Sequence, residues 1–86
     1  MSYRIVLYRE SEKTLDGLDR TTARRIETRI ETLAQNPFDP RLSKKMETAK
    51  DRRYSRVGDW RIIYRVNEAE GILDIVAIRP RSRAYA

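Results

Sequence analysis

The chain has 86 residues with no cysteine and no histidine. This excludes a disulfide framework, a thiolate metal site, and the commonest general base and metal ligand. Nineteen Lys and Arg against thirteen Asp and Glu give a net charge of +6 and a pI near 10.1, which suits an anionic partner, nucleic acid first.

A chain of this length makes one small domain, residues 1–86, burying only about 60–65% of its unfolded surface. No carboxylate cluster stands out, so neither a metal nor any other cofactor is expected. No segment approaches the roughly 18 apolar residues of a membrane span, and the N-terminus has no apolar leader. A cytoplasmic protein without membrane contact is expected. The charge is uneven: residues 1–40 hold seven basic and seven acidic residues, so the whole excess lies in residues 41–86.

Tyr3 to Arg9, "YRIVLYR", is rich in β-branched and aromatic residues and predicts a strand. "ESEKTLDGL" predicts a short helix ending near Gly17. Asp19 is a good N-cap for a second helix. Ala23, Ile26, Ile30, Leu33 and Ala34 then form one apolar stripe on a charged helix, which Asn36 and Pro37 end. "PFDPRLSKKMETAKD" predicts a loop. Strands follow at about Arg52–Val57, Trp60–Val66 and Ile72–Arg79. The order is β-α-α-β-β-β: an α+β domain with two helices on one face of a sheet.

Gly58-Asp59 fits a two-residue type II′ turn. Val57 then pairs with Trp60, Arg56 with Arg61, Tyr54 with Ile63 and Arg52 with Arg65. One face collects Arg52, Tyr54, Arg56, Arg61, Ile63 and Arg65. The other collects Arg53, Ser55, Val57, Trp60, Ile62, Tyr64 and Val66 and should meet the helices. Like charges across a ladder are destabilising, so Arg56 opposite Arg61 makes sense if an anion sits between them. Arginine forks match phosphate. A solvated face that tolerates arginines is the plainer alternative. Arg79 and Arg81 share a face if the last strand stays extended through Pro80, which marks the end of regular pairing or an edge. Arg81, Arg83 and Tyr85 lie beyond it.

The runs "NPFDPRLSKK", "RRYSRVGDWRIIYRV" and "IVAIRPRSRAY" resemble the RelE/ParE superfamily of type II toxin–antitoxin toxins, most closely its RelE-like ribonuclease branch. The resemblance covers nearly the whole chain, and "RVGDWRIIY" followed by "PRSRAY" is its most specific part. It implies a small fold with a curved, mainly antiparallel sheet and a basic groove. It also implies a toxin that cleaves mRNA in the ribosomal A site, inhibits translation, and is held in a hetero-oligomer by a small RelB-like antitoxin. By the same resemblance Arg56, Arg61, Arg81 and Tyr85 are the catalytic residues, and Lys44 and Lys45 face ribosomal RNA. Arg52, Arg53, Tyr54, Arg65, Arg79 and Arg83 complete the RNA-binding set. Tyr54 stands where many members carry a second basic residue, and Pro80 where a histidine is common.

Cleavage by the RNA's own 2′-hydroxyl needs a base, an acid and stabilisation of an anionic phosphorane. The arginines supply the last. Tyr85 either transfers protons or stacks on a base. A ParE-like inhibitor of DNA gyrase and a plain RNA-binding module are the alternatives.

Overall fold

The computed structural model describes residues Ser2 to Arg81. The elements are β1 (Arg4–Leu7), α1 (Arg9–Gly17), α2 (Arg20–Gln35), β2 (Lys44–Lys45), β3 (Arg53–Val57), β4 (Trp60–Asn67) and β5 (Ile72–Pro80). Arg83 and Tyr85 lie outside the described residues.

Local chemistry sets the helix boundaries. Asp19 caps α2, its carboxylate accepting from the Thr22 amide at 3.0 Å. This satisfies one of the first-turn N–H groups that a helix leaves without an internal partner. At the other end Asn36 is the C-cap and its amide donates to the Thr32 carbonyl. The predicted stripe is real: Ile26, Ile30, Leu33 and Ala34 are all buried.

The sheet is open and mixed, in the order β1-β5-β4-β3-β2. β1 runs parallel to β5, and every other pair is antiparallel. The one strand absent from the sequence expectation is β2. The segment read as loop contains a two-residue pairing, Lys44 with Tyr54 and Lys45 with Arg53. Two residues carry too little periodicity to reveal a strand.

The hairpin has the expected register. Val57 pairs with Trp60, Arg56 with Arg61 and Tyr54 with Ile63. Gly58 takes the left-handed φ of +58° that the first turn position requires, and no non-glycine residue among those described has a positive φ. The predicted pairing of Arg52 with Arg65 is corrected. β3 starts at Arg53, and Arg65 is opposite Asp74 on β5 instead. An opposite charge there removes the like-charge cost.

The β4–β5 ladder carries a bulge. Ile63 is opposite Ala77 and Tyr64 is opposite Ile75, so Val76 is the extra residue. The main core lies between the sheet and the helices. Leu15, Ile26, Ile30 and Leu33 pack on Val57, Ile62, Tyr64, Leu73, Ile75 and Ile78. Full burial of such a side chain contributes about 1.5–3 kcal/mol. The opposite face holds only a small cluster, Met46, Ile63 and Ala77, flanked by Tyr54 and Val76.

Candidate nucleic-acid interface

The charged face of the hairpin opens into a cleft of about 310 Å³ at the β2–β3 edge. Its wall on one side is the segment Pro40 to Lys44, and on the other Tyr54, Arg56 and Arg61; Arg29 enters from α2. Among the described residues, five cationic side chains therefore line one small cleft, and no carboxylate does. Such a place favours an anion, and arginine stays charged at any physiological pH.

Arg61 forms the floor. It is only 7% exposed, and its guanidinium carbon lies 4.7 Å from the centroid of the Tyr54 ring. Burying a cation costs several kcal/mol unless something compensates, and an aromatic face returns part of that cost. The result is a fixed, partly desolvated guanidinium at the base of a basic cleft. A charge held in that way interacts with an entering phosphate more strongly than a solvated one. Arg56, directly across the ladder, is exposed, and its Nε donates to the Gly58 carbonyl at 3.2 Å. This bond aims the side chain toward the turn. Arg29 donates from Nη1 to Ser55 Oγ (2.9 Å) and to the Arg56 carbonyl (2.8 Å), so it ties α2 to β3.

The other predicted residues occupy several different settings. Lys44 and Tyr54 join Arg56 and Arg61 in the cleft. Lys45, one residue on, shares the side of its partner Arg53 and is not part of the lining. Arg53 donates to Ser43 Oγ at 2.6 Å and lies over the Phe38 ring at 5.3 Å. Ser43 is in turn bonded to the Tyr64 hydroxyl, which donates to the Pro37 carbonyl at 2.7 Å. Arg53 thus belongs to a buried network that pins the 37–43 segment against the core. Burial pushes the Tyr64 phenol above its ordinary pKa, which keeps it a neutral donor.

Arg65 and Arg79 are held by carboxylates. Arg65 meets Asp74 at 3.1 Å. Arg79 is opposite Arg61 on the ladder but forks onto Glu10, at 2.9 and 3.2 Å. That bond holds the Glu10 carboxyl below its usual range. Arg52 does not line the cleft; its Nε is buried with no hydrogen-bond partner among the described residues. Arg81 leaves the strand: β5 ends at Pro80, and the Arg81 amide donates to the Asp59 carbonyl at 2.7 Å. This fixes the last described residue to the hairpin turn, with its side chain exposed.

Two lining cations, Arg29 and Arg41, were not anticipated. Arg41 is partly neutralised by a fork onto Asp39, with contacts of 3.1 and 2.8 Å. Both come from segments remote from the hairpin in sequence. For Arg29 the available signal was spacing, since Arg20, Arg24, Arg25 and Arg29 recur along one helix. Among the described residues no group of three or more His, Cys, Asp or Glu could hold a metal, and no helix is long and apolar enough to cross a membrane.

Residues 5–85 match the family model of the ParE toxin of type II toxin–antitoxin systems, parDE. Among solved structures, the chain is similar to the archaeal RelE of the RelE–RelB complex from Pyrococcus horikoshii OT3. The two are 30% identical, 98% of this chain and 100% of that one are covered, and the TM-score is 0.81. The toxin–antitoxin complex RelBE2 of Mycobacterium tuberculosis offers a chain 20% identical, covering 94% and 100%, with a TM-score of 0.79. The isolated RelE toxin of E. coli is 13% identical over 96% and 88% of the two chains, with a TM-score of 0.81. None of the curated proteins compared matches the chain.

Proposed function

The chain belongs to the ParE toxin family, within the RelE/ParE superfamily of type II toxin–antitoxin toxins, and on that premise we propose that it is a ribosome-dependent endoribonuclease that cuts translated mRNA in the cytoplasm. The observation that carries this is the cleft with Arg61 as its floor, Arg56 and Lys44 on its walls and Tyr54 under the buried guanidinium. Attack of a 2′-hydroxyl on the adjacent phosphate forms a 2′,3′-cyclic phosphate and breaks the bond to the 5′-oxygen, which leaves as a hydroxyl as the 2′-oxygen gives up its proton; negative charge builds on the non-bridging oxygens on the way. Arg61 and Arg56 stabilise that charge, and their forks orient the phosphate. Arg81, anchored at the turn, adds a third cation, and Tyr85 either transfers a proton or stacks on a base. The chain has no histidine, and among the described residues no carboxylate lines the cleft to serve as base. The chemistry therefore depends on a substrate already strained into line, which the ribosome supplies. A small antitoxin, like those in the complexes of its relatives, masks the basic surface in a hetero-oligomer.

The match to the ParE family model favours a second reading, a non-nucleolytic inhibitor of DNA gyrase. Primer extension on translated mRNA after induction separates the two. Cuts within codons that disappear in Arg61→Ala support the ribonuclease. Absence of cuts, together with loss of gyrase supercoiling on adding the purified protein, overturns it.

A further inference from the structure

Resting on the ribonuclease reading, we propose that the arginine face of α2 is a second binding stretch for the same messenger strand, gripping backbone phosphates outside the cleft. A groove of about 710 Å³ runs between α2 and the β3–β4 turn. Arg20, Arg24, Arg25 and Arg29 line its helix side, and Arg56 and Gly58 the other. Arg29 and Arg56 line this groove and the cleft alike, so one anionic strand can pass from one to the other without leaving basic surface.

Three further features fit a nucleic-acid backbone. Among the described residues none of these five arginines is in a salt bridge, whereas Arg41, Arg65 and Arg79 each hold a carboxylate. The acidic residues of the same helix, Glu27 and Glu31, line a different recess beside Ile5 and Leu7. Among the described residues no aromatic side chain lines the groove, so these offer no stacking platform for bases, and their contacts suit sequence-independent phosphates. The run from Arg20 to Arg29 extends about 13 Å at the helical rise, room for several phosphates.

The test uses the full chain and 2′-O-methyl oligouridylates of 4, 8 and 12 nucleotides, which lack the attacking hydroxyl and stay intact. Anisotropy titrations compare wild type with R20A/R24A/R25A. Alanine is the best helix former, so the helix is retained. Wild-type affinity should rise with length, and the variant should lose that rise. Its log–log salt slope should be shallower by about 2, which is roughly a tenfold to twentyfold smaller loss of affinity between 50 and 200 mM salt. An unchanged length dependence and slope overturn the proposal. So does a variant that loses only co-sedimentation with mRNA-free ribosomes, since ribosomal RNA is then the occupant. Binding of poly-glutamate that depends on these arginines, with no response to oligonucleotide length, also overturns it in favour of an acidic polypeptide. Failure of the ribonuclease reading is seen separately, as wild type that makes no cuts, because these titrations require no cleavage.

Discussion

The two faces of the sheet treat polar groups in different ways. On the helix side the buried polar atoms serve the fold. The Tyr64 hydroxyl reaches the Pro37 carbonyl and Ser43, Ser11 donates to the Ile75 carbonyl at 2.9 Å, and Ser55 accepts from Arg29. On the other side a patch of three buried apolar residues adjoins an almost fully buried arginine. Cores usually exclude such a charge because its desolvation is costly. The contrast teaches that stability is concentrated on one face, leaving the other able to hold a group that is costly alone and useful with an anion.

Substitutions at neighbouring positions test that division. The largest expected effect is on activity. Arg61→Ala should abolish growth arrest and lower cleavage by roughly 100-fold or more, while the antitoxin is still bound. Arg61→Lys should restore little, because an ammonium offers neither the fork nor the planar stack on Tyr54. Full toxicity of either variant in a growth assay would break the assignment of the open face to function.

Next come Ile62 and Ile63, adjacent in sequence and on opposite faces. Ile62→Ala should cost about 2–5 kcal/mol in urea unfolding, and Ile63→Ala should fall at or below the low end, because its small cluster relaxes more readily. Equal costs would mean that the open face carries as much of the fold as the helix face.

Tyr64→Phe removes the hydroxyl that joins the core to the 37–43 segment. It should destabilise by about 1–3 kcal/mol. Tyr54→Phe keeps the ring that meets Arg61 and should cost less than Tyr64→Phe, because Tyr54 is only partly buried.

The smallest effect belongs to the exposed pair Glu10–Arg79. Glu10→Gln should cost at most about 0.5 kcal/mol at neutral pH. Because the folded-state pKa of Glu10 is lowered, the contribution is present above its ordinary value of 4.5 and lost as the pH falls below it. Wild type and Glu10→Gln should therefore converge in thermal midpoint in acid.

Much of this division was readable in advance because a two-residue turn fixes register by arithmetic. Once Gly58-Asp59 is the turn, the faces of Arg56, Arg61, Ile62 and Tyr64 follow. The helix stripe and the Asp19 cap were equally local. What escaped was built from distant pieces. Arg29 and Arg41 reach the cleft from a helix and a loop. The arginine face of α2 was hidden because the first forty residues sum to zero charge, and a sum carries no direction. β2 was too short to show a period. In "ILDIVAIRP" the apolar residues run almost unbroken, so the sequence held no mark of where β5 changes phase.

That phase change has a consequence for how the protein can vary. Leu73 and Ile75 must face the helices, while Ala77 and Arg79 must face the open side beside Ile63 and Arg61. These demands are one step out of alternation along a single strand, and Val76 is the step that reconciles them. It acts like a splice joining two reading frames of the sheet. Deleting it would swing one half of β5 over, turning Asp74 into the core or Arg79 away from Arg61. Substitution at Val76 should be tolerated far better than a change in the number of residues there, so length in this strand is inherited more strictly than identity.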